Sequence, residues 1–300
     1  MVWERRAATG ARIVLTVAGF VVAAVLGLKI LILFLEPRAT FFPVRSAGVT
    51  PADYGLPFED LRFETSDGVR IHAWFIPAAA GSPPPSADPG SARRPLTLLA
   101  FHGNAESIEH TLPLARLVRE AGFNLMAVEY RGYGRSDGMP SERGVYADGA
   151  AALQTLRARS DVAPNRIVLW GRSIGAAVAV DVAAGLAADE AVAGVILESP
   201  FTSAQDLLRD GGHWLLYGLS FFGTYRFDSA GKIGRIISPV LVVHGTADEI
   251  APFTLGKSLY GMAPGGREFV AIEGGGHNDL WASHAAATWG GIRRFLATLE

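Results

Sequence analysis

From Leu96 onward the sequence alternates short apolar runs with amphipathic segments of helical length. Such apolar runs predict strands buried on both faces, and helices between consecutive strands favour parallel pairing. The sequence therefore predicts an α/β protein with a mostly parallel sheet that is covered by helices on both faces. The predicted strands are LTLLAF, FNLMAVEY, RIVLWG, AVAGVILES, PVLVVHG and EFVAIEG, and the predicted helices lie near residues 107–121, 142–159 and 253–262, directly after Ser173 and from about Asn278.

Three segments fall outside this alternation. The run LRFETSDGVRIHAWFIP alternates apolar and polar residues around the SDG at residues 66–68, which predicts a β-hairpin. The Pro- and Ser-rich residues 78–94 predict a surface loop. Prolines and glycines in residues 37–58 predict a neck without regular structure, which leaves residues 59–300 as the globular domain.

The connection after AVAGVILES is too long, at about forty residues, and too aromatic for a simple crossover. Residues 200–236 are therefore predicted to form an inserted cap. Within it, Trp214, Tyr217 and Phe221 are candidate substrate-binding residues that line an acyl pocket. The alternatives are that these aromatic side chains contact a membrane or only pack the cap onto the core.

The N-terminal region carries a long apolar run. Residues 13–35 include only two polar side chains, Thr16 and Lys29, and as a helix they extend about 35 Å, enough to cross a bilayer. Residues 1–36 are therefore predicted to be an uncleaved, single-pass membrane anchor; the alternatives are a cleaved signal peptide and a buried helix of a soluble protein.

Basic residues flank this run unequally, with Arg5, Arg6 and Arg12 before it and Arg38 and Arg45 after it. The excess on the N-terminal side predicts a cytoplasmic N-terminus and a domain on the non-cytoplasmic side of the membrane.

Composition excludes several classes of function. The chain has 27 basic and 29 acidic residues, a net charge of −2 and no basic cluster, which argues against a nucleic-acid partner. It has no cysteine, which excludes disulfides, thiolate nucleophiles and cysteine-zinc sites. Its histidines do not show metal-ligand spacing, so neither a metal nor a cofactor is predicted.

Three polar residues follow predicted strands. Ser173 lies between two glycines after RIVLWG, Asp248 follows PVLVVHG, and His277 follows EFVAIEG. Ligands of open parallel sheets bind at the carboxyl ends of the strands, where these residues are expected to meet. A serine nucleophile needs an imidazole to accept its proton and a carboxylate to orient the imidazole, and the order Ser-Asp-His is that of the α/β-hydrolase arrangement. Asp279 and Glu249 are weaker candidates for the acid.

The residues around Ser173 suit a sharp turn from strand to helix. Gly171 and Gly175 leave the space that such a turn requires, and the turn directs the Ile174 backbone N–H toward the helix N-terminus, where it is able to stabilise an oxyanion. A second oxyanion donor is expected in HGNAE after the first predicted parallel strand, where the backbone N–H of Asn104 is the candidate. His102 of this motif is expected to be a structural hydrogen-bonding residue.

The chain resembles the Bem46-like α/β-hydrolases, relatives of the membrane-anchored ABHD hydrolases, over roughly residues 38–299. The motifs that carry the resemblance are TFFPVRSAGVTPADYG, SDGVRIHAWFIP, FHGNAE, EYRGYGRSDGMPSE, LWGRSIGAAVAV, LESPFTS, PVLVVHGTADEIAPF and GGGHNDL. The resemblance implies an eight-stranded core and serine hydrolase activity toward esters or thioesters. It carries the nucleophile onto Ser173, the acid onto Asp248 and the base onto His277. Some anchored relatives remove palmitate from proteins and attach to membranes through N-terminal cysteines, which this chain lacks.

The leading hypothesis is a cofactor-independent hydrolase of carboxylic esters or thioesters, acting on a small or lipid-like acyl substrate through an acyl-enzyme intermediate. A peptidase or an acyltransferase with the same triad is one alternative, and a membrane-anchored scaffold without catalytic activity is another.

Overall fold

The computed structural model describes residues 2–79 and 94–300, with side chains from residue 15 onward. A single eight-stranded sheet has the strand order β1-β2-β4-β3-β5-β6-β7-β8. This confirms the predicted α/β class and the number of strands that the family resemblance implies. The strands are β1 (Glu59–Glu64), β2 (Arg70–Ile76), β3 (Thr97–Phe101), β4 (Asn124–Val128), β5 (Ile167–Arg172), β6 (Gly194–Glu198), β7 (Val240–Gly245) and β8 (Arg267–Ile272).

In the order of the sheet, the six strands β4, β3, β5, β6, β7 and β8 pair in parallel, and β2 is antiparallel to both of its neighbours, β1 and β4. The predicted hairpin is confirmed as β1 and β2. Its turn closes with a hydrogen bond from the Thr65 N–H to the Val69 carbonyl, 2.9 Å, and Gly68 takes the positive φ of +80° that the turn requires. The parallel strands all point their carboxyl ends at one edge of the sheet, which is the edge that carries the candidate site.

Helices cover both faces of the sheet, as predicted. On one face α3 and α4 pack against strand residues such as Leu169, and on the other face α2 and α9 pack against residues such as Val168 and Trp170. This alternation along β5 explains why residues 167–170 of the strand are all apolar. The helices are α1 (Val2–Thr40), α2 (Leu112–Glu120), α3 (Glu142–Arg157), α4 (Ile174–Ala184), α5 (Ala204–Asp210), α6 (Trp214–Ser220), α7 (Ala230–Ile233), α8 (Phe253–Met262) and α9 (Ala285–Thr298).

The last helix begins later than predicted. It was expected from about Asn278, with Asp279 in its first turn, but α9 begins only at Ala285. The Asp279 carboxylate instead accepts a hydrogen bond from the Gly276 N–H, 2.7 Å, and Leu280 is buried in the core. These two contacts hold the stretch after β8 in a turn, so the prediction that Asp279 begins a helix is wrong. The surface loop predicted for residues 78–94 falls mostly outside the described residues.

The predicted neck is not an extended, unstructured segment at its start. Helix α1 runs through Pro37 to Thr40, beyond the predicted end of the anchor at residue 36. Phe41, only 3% exposed, then enters the core, where its ring contacts those of Tyr225 and Phe227 at centroid distances of 5.7 and 6.0 Å. The expectation of a neck without regular structure is wrong for residues 37–40, which continue α1, and for Pro51–Tyr54, which form a short 3-10 helix. Residues 41–50 lack regular structure, as expected, but the buried ring of Phe41 packs their start against the core.

The cap lies between β6 and β7 and contains the three short helices α5, α6 and α7. These helices fall within the predicted residues 200–236. Helix α5 begins at the Ser203 cap, whose hydroxyl accepts a hydrogen bond from the Asp206 N–H, 3.0 Å. The cap therefore starts directly at the carboxyl edge of the sheet.

Candidate active site

A cavity of about 910 Å³ opens at the carboxyl ends of the central strands. Residues that follow β3, β5, β6 and β8 form its floor, the cap contributes one wall, and the end of α1 contributes Thr40 and Phe42. The volume suits a small organic ligand, and its position matches the expectation for an open parallel sheet.

Ser173 lies at the turn between β5 and α4 and is half-buried in this cavity. Its backbone angles, φ +54° and ψ −117°, are unusual for a residue other than glycine. Two hydrogen bonds hold this conformation: the Ser173 N–H donates to Glu198 O at 2.8 Å, and the Ala176 N–H donates to Ser173 O at 2.9 Å. Within residues 2–79 and 94–300 the Ser173 hydroxyl has no hydrogen-bond partner.

The glycines on either side of Ser173 are required by close backbone approach. A Cβ atom on Gly171 would overlap the carbonyl group of Gly175, and a Cβ on Gly175 would overlap the Phe101 carbonyl oxygen at the end of β3. Backbone atoms of a sheet cannot move aside as a flexible side chain does. The pattern Gly-Arg-Ser-Ile-Gly therefore reflects the packing of the turn against both itself and β3.

Asp248 and His277 are in direct contact. The Nδ1 atom of His277 lies 2.8 Å from Oδ2 and 3.0 Å from Oδ1 of Asp248. Oδ1 also accepts hydrogen bonds from the N–H groups of Ile250 and Ala251, at 3.0 and 2.8 Å. Because the carboxylate only accepts, Nδ1 of His277 carries a proton and Nε2 is left available to the cavity.

The charge state of Asp248 is fixed by its neighbours. Burial by itself raises the pKa of this carboxyl, but hydrogen bonds from His244 and His277, the charge of His277 and the Ala251 N–H outweigh burial and hold the pKa well below its usual value. Asp248 is therefore an anion near neutral pH.

The sequence analysis missed the role of His244, which is fully buried behind Asp248. Its Nε2 atom lies 2.8 Å from the carbonyl oxygen of Ala251 and 3.3 Å from Oδ2 of Asp248. Since the Ala251 carbonyl only accepts, Nε2 carries the proton. His244 therefore supports the Asp248 loop, and its position four residues before Asp248 in HGTAD was the available signal.

Arg172, the residue before Ser173, connects three loops of the site. Its guanidinium donates to the His277 carbonyl at 2.8 Å and to Oδ1 of Asn278 at 3.1 Å. It also pairs with Glu198 at the end of β6, at 3.2 Å, and with Glu106 in the loop after β3. One side chain therefore links the strand ends that carry the predicted serine and histidine.

The predicted oxyanion donors border the same cavity. The backbone N–H groups of Asn104 and Ile174 have no acceptor in the described part of the chain, and both residues line the cavity. The Asn104 side chain is fully engaged: Oδ1 accepts from the Phe42 N–H at 3.0 Å and from the Tyr133 hydroxyl at 2.7 Å, and Nδ2 donates to the Thr40 carbonyl at 2.6 Å. These contacts hold the loop after β3 against the end of α1.

The remaining predicted residues lie elsewhere. Trp214, Tyr217 and Phe221 are not among the residues that line the cavity; they lie on and just after α6, where their rings contact one another edge to face. Apolar side chains that do line the cavity include Phe42, Phe201, Leu207, Phe227, Leu280 and Trp281.

His102 and Asp279, one of the competing acids, have other contacts. Nδ1 of His102 contacts the Gly103 carbonyl at 2.8 Å, and its Nε2 lies 3.2 Å from Glu129, a pair that is almost fully buried. Asp279 contacts the Gly276 N–H rather than His277. No group of three or more His, Asp or Glu side chains in the described residues is arranged to hold a metal ion.

Comparison with known proteins shows the family of this chain. The family model described as serine aminopeptidase, S33, matches residues 93–226, a stretch that includes Ser173. Two relatives match almost the whole chain: protein Rv2307c of Mycobacterium tuberculosis is 35% identical over 94% of this chain and 94% of its own length. The alpha/beta hydrolase domain-containing protein WAV2 of Arabidopsis thaliana is 34% identical over 93% of this chain and 92% of its own.

The chain belongs to the α/β-hydrolase family. Solved structures of α/β-hydrolases agree with its fold: the Pyrococcus furiosus esterase Pf2001 superimposes with a TM-score of 0.68 at 20% identity, over 86% of this chain and 97% of that one. Acetyl xylan esterase 1 of Thermoanaerobacterium gives a TM-score of 0.58 at 19% identity, over 85% and 86% of the two chains.

The close approach at Gly175 leads to a first prediction. We expect Gly175→Ala to lower the free energy of unfolding by about 3 kcal/mol or more, because the added methyl group has no space beside the Phe101 carbonyl. Gly185→Ala at the other end of α4 is the matched control and changes it by less than about 0.5 kcal/mol, since only ordinary contacts surround that position. Urea unfolding of the detergent-solubilised full chain measures both, and equal effects would refute the packing argument.

Proposed function

We propose that this α/β-hydrolase is a membrane-anchored serine hydrolase of carboxylic esters or thioesters and a member of the Bem46-like group. The observation that carries the proposal is the contact between His277 Nδ1 and Asp248 beside a cavity that Ser173 also lines. A serine with a histidine base and a buried carboxylate is a sufficient set for acyl transfer without a cofactor.

In the proposed reaction, the Ser173 Oγ attacks the acyl carbonyl carbon while His277 Nε2 accepts the hydroxyl proton. The backbone N–H groups of Asn104 and Ile174 stabilise the negative charge that forms on the carbonyl oxygen. The negative charge of Asp248 stabilises the imidazolium that forms on His277. Collapse of the tetrahedral intermediate breaks the ester or thioester bond, and His277 returns the proton to the departing alcohol or thiol. Water then attacks the acyl-enzyme by the same route and releases the acid and free Ser173.

The pairing of the acidic side chains in the cavity favours an ester or thioester over an aminopeptidase substrate. An aminopeptidase must bind the ammonium group of a free N-terminus, which needs an available carboxylate. Two acidic side chains, Glu106 and Glu198, line the cavity, and both pair with Arg172. Glu198 also accepts a hydrogen bond from the Trp281 indole at 3.0 Å. An acyltransferase shares the first half of the reaction and differs in the acceptor that reaches the acyl-enzyme.

A catalytic role also explains features that a scaffold does not need. The backbone of Ser173 is strained, and strain of this kind persists where function requires it. Asn104 and Ile174 line the same cavity, and their N–H groups have no acceptors in the described residues. A scaffold that only binds a partner has no use for this combination.

The cavity walls favour an acyl chain. Phe201, Leu207 and Phe227 present apolar surface beside Ser173, and we assign the acyl chain to these side chains rather than to the aromatic residues of α6. Methylene groups gain about 0.8 kcal/mol each on transfer from water to such a surface.

Helix α1 is the proposed membrane anchor. Leu15–Thr40 is one helix that is long and apolar enough to cross a bilayer, and its apolar side chains are exposed. A core helix of a soluble protein would be buried. The arginines before the span, which outnumber those after it, favour the non-cytoplasmic side for the catalytic domain.

Replacement of the nucleophile tests the proposed chemistry. We expect Ser173→Ala to abolish covalent labelling by a fluorophosphonate probe and to lower ester hydrolysis by about 10⁴-fold or more. Ser203→Ala, which removes the hydroxyl that caps α5, keeps labelling intact. Both variants are compared with the full chain in detergent after circular dichroism confirms folding. Labelling of folded Ser173→Ala, or activity within tenfold of the original chain, would exclude Ser173 as the nucleophile.

The identity of the acid is tested separately. Asp248→Asn is expected to lower kcat by about 10⁴-fold because the amide no longer holds His277 in the required tautomer. Asp279→Asn is expected to change kcat by less than about tenfold, since Asp279 contacts a backbone N–H instead of His277. If the two variants exchange rank, Asp279 is the acid.

Substrate length tests the assignment of the acyl chain. We expect kcat/KM for p-nitrophenyl esters to rise from acetate to octanoate, by up to about a hundredfold for four added carbons. Leu207→Ala is expected to lower the octanoate value much more than the acetate value, and Trp214→Ala to change neither. A steady fall in kcat/KM from acetate onward would refute an acyl pocket. A selective loss of octanoate hydrolysis in Trp214→Ala would instead assign the acyl chain of the substrate to the aromatic residues of α6.

A further inference from the structure

The outer face of α6 exposes an apolar surface without a partner in the described residues. None of the seven residues of α6 is buried, and Trp214, Leu215 and Phe221 are 66%, 77% and 59% exposed. Together with Leu216 these residues form what we call the cap face. The Trp214 and Phe221 rings both contact Tyr217, at centroid distances of 6.2 and 5.3 Å, so the three rings form one continuous surface, and Leu215 and Leu216 are their neighbours on the same short helix. A contiguous apolar surface of this kind marks an interaction site.

The cap face is attached to the end of α1. The Glu36 carboxylate accepts hydrogen bonds from the Thr224 N–H at 2.7 Å, from the Thr224 hydroxyl at 2.8 Å and from the Tyr225 N–H at 2.9 Å. Phe41 adds a ring contact with Tyr225. Thr224 lies three residues after Phe221, so the cap face begins within about 11 Å of chain from this attachment.

Glu36 also marks the level at which α1 becomes polar. The large exposed apolar side chains of α1 end at Leu35, directly before Glu36. Arg38, in the last turn, stacks its guanidinium over the Phe34 ring at 4.8 Å, an arrangement in which a basic head reaches back toward the headgroup layer. The attachment of the cap is therefore at the membrane–water boundary of the proposed anchor.

We propose that the cap face lies in the headgroup layer of the bilayer that α1 spans, so that a lipid surface is its partner. The proposal rests on the proposed anchor role of α1. A tryptophan beside aliphatic side chains is the composition that proteins place at this depth. Thr40, Phe42 and Leu207 line the cavity close to this attachment, so the proposal places the cavity of Ser173 beside the bilayer. The substrate class that follows from this placement is an acyl group that partitions into lipid.

The absence of cysteine permits a direct test with the full chain. Single spin labels are placed through Leu215→Cys on the cap face, Val25→Cys in the middle of the span and Ile237→Cys as a matched control. Ile237 is 57% exposed and lies before β7, at the edge of the sheet opposite the cavity. Each labelled chain is reconstituted in vesicles of phosphatidylcholine and phosphatidylglycerol, and collision rates with a water-soluble nickel chelate and with oxygen are measured.

The expected result is a collision rate with the nickel chelate several-fold lower at position 215 than at 237, with oxygen collisions higher. A collision rate with the nickel chelate that is equal at positions 215 and 237 would overturn the proposal. Low collision rates at position 215 with both nickel and oxygen would also overturn it, because a protein, such as a second copy of this chain, would then cover the cap face. The label at position 25 reports separately whether α1 is in the bilayer; if it is exposed to nickel, the anchor and the cap face proposals both fail. Fluorophosphonate labelling of the same samples keeps the hydrolase proposal distinguishable from either outcome.

Discussion

The arrangement of the site depends on how closely the turn between β5 and α4 approaches the neighbouring strand. Gly171 pairs with Phe101 in the parallel register of β5 and β3, and Gly175 then packs its Cα against the Phe101 carbonyl. A side chain at either glycine would separate the turn from β3. This contact sets where Ser173 and the Ile174 N–H lie relative to the loop that carries Asn104, and the positive φ of Ser173 follows from the same tight path.

Electrostatic contacts then join the other loops to this turn. Glu198 is almost completely buried, and a buried carboxylate is costly unless it is paired. Arg172 supplies the pair and extends to the His277 carbonyl and to Glu106. The loops after β3, β6 and β8 therefore share one cationic side chain, and a shift of any one of them changes the surroundings of the other two.

The sequence was sufficient for features that depend on local pattern. The central strands β3 to β7 were predictable because each is buried on both faces. The meeting of Asp248 with His277 followed from the shared edge at which parallel strands end. Contacts between loops were not predictable in this way. Nothing in the order of residues indicates that Arg172 reaches Glu106 or that the Asn104 side chain binds the end of α1. The apolar composition of the cap was visible, but the direction in which a seven-residue helix faces depends on the tertiary position of α5 and α6.

The link between Glu36 and Thr224 spans 188 residues, and this separation has a consequence for the order in which the protein assembles. A chain is synthesised from its N-terminus, so α1 is complete long before the cap loop exists. In the anchored protein proposed above, the helix is already held at the membrane when Thr224 and Tyr225 leave the ribosome. Closing so long a loop carries an entropic cost that grows only slowly with length. The cap therefore completes its fold late, on a helix end whose position the bilayer has already set.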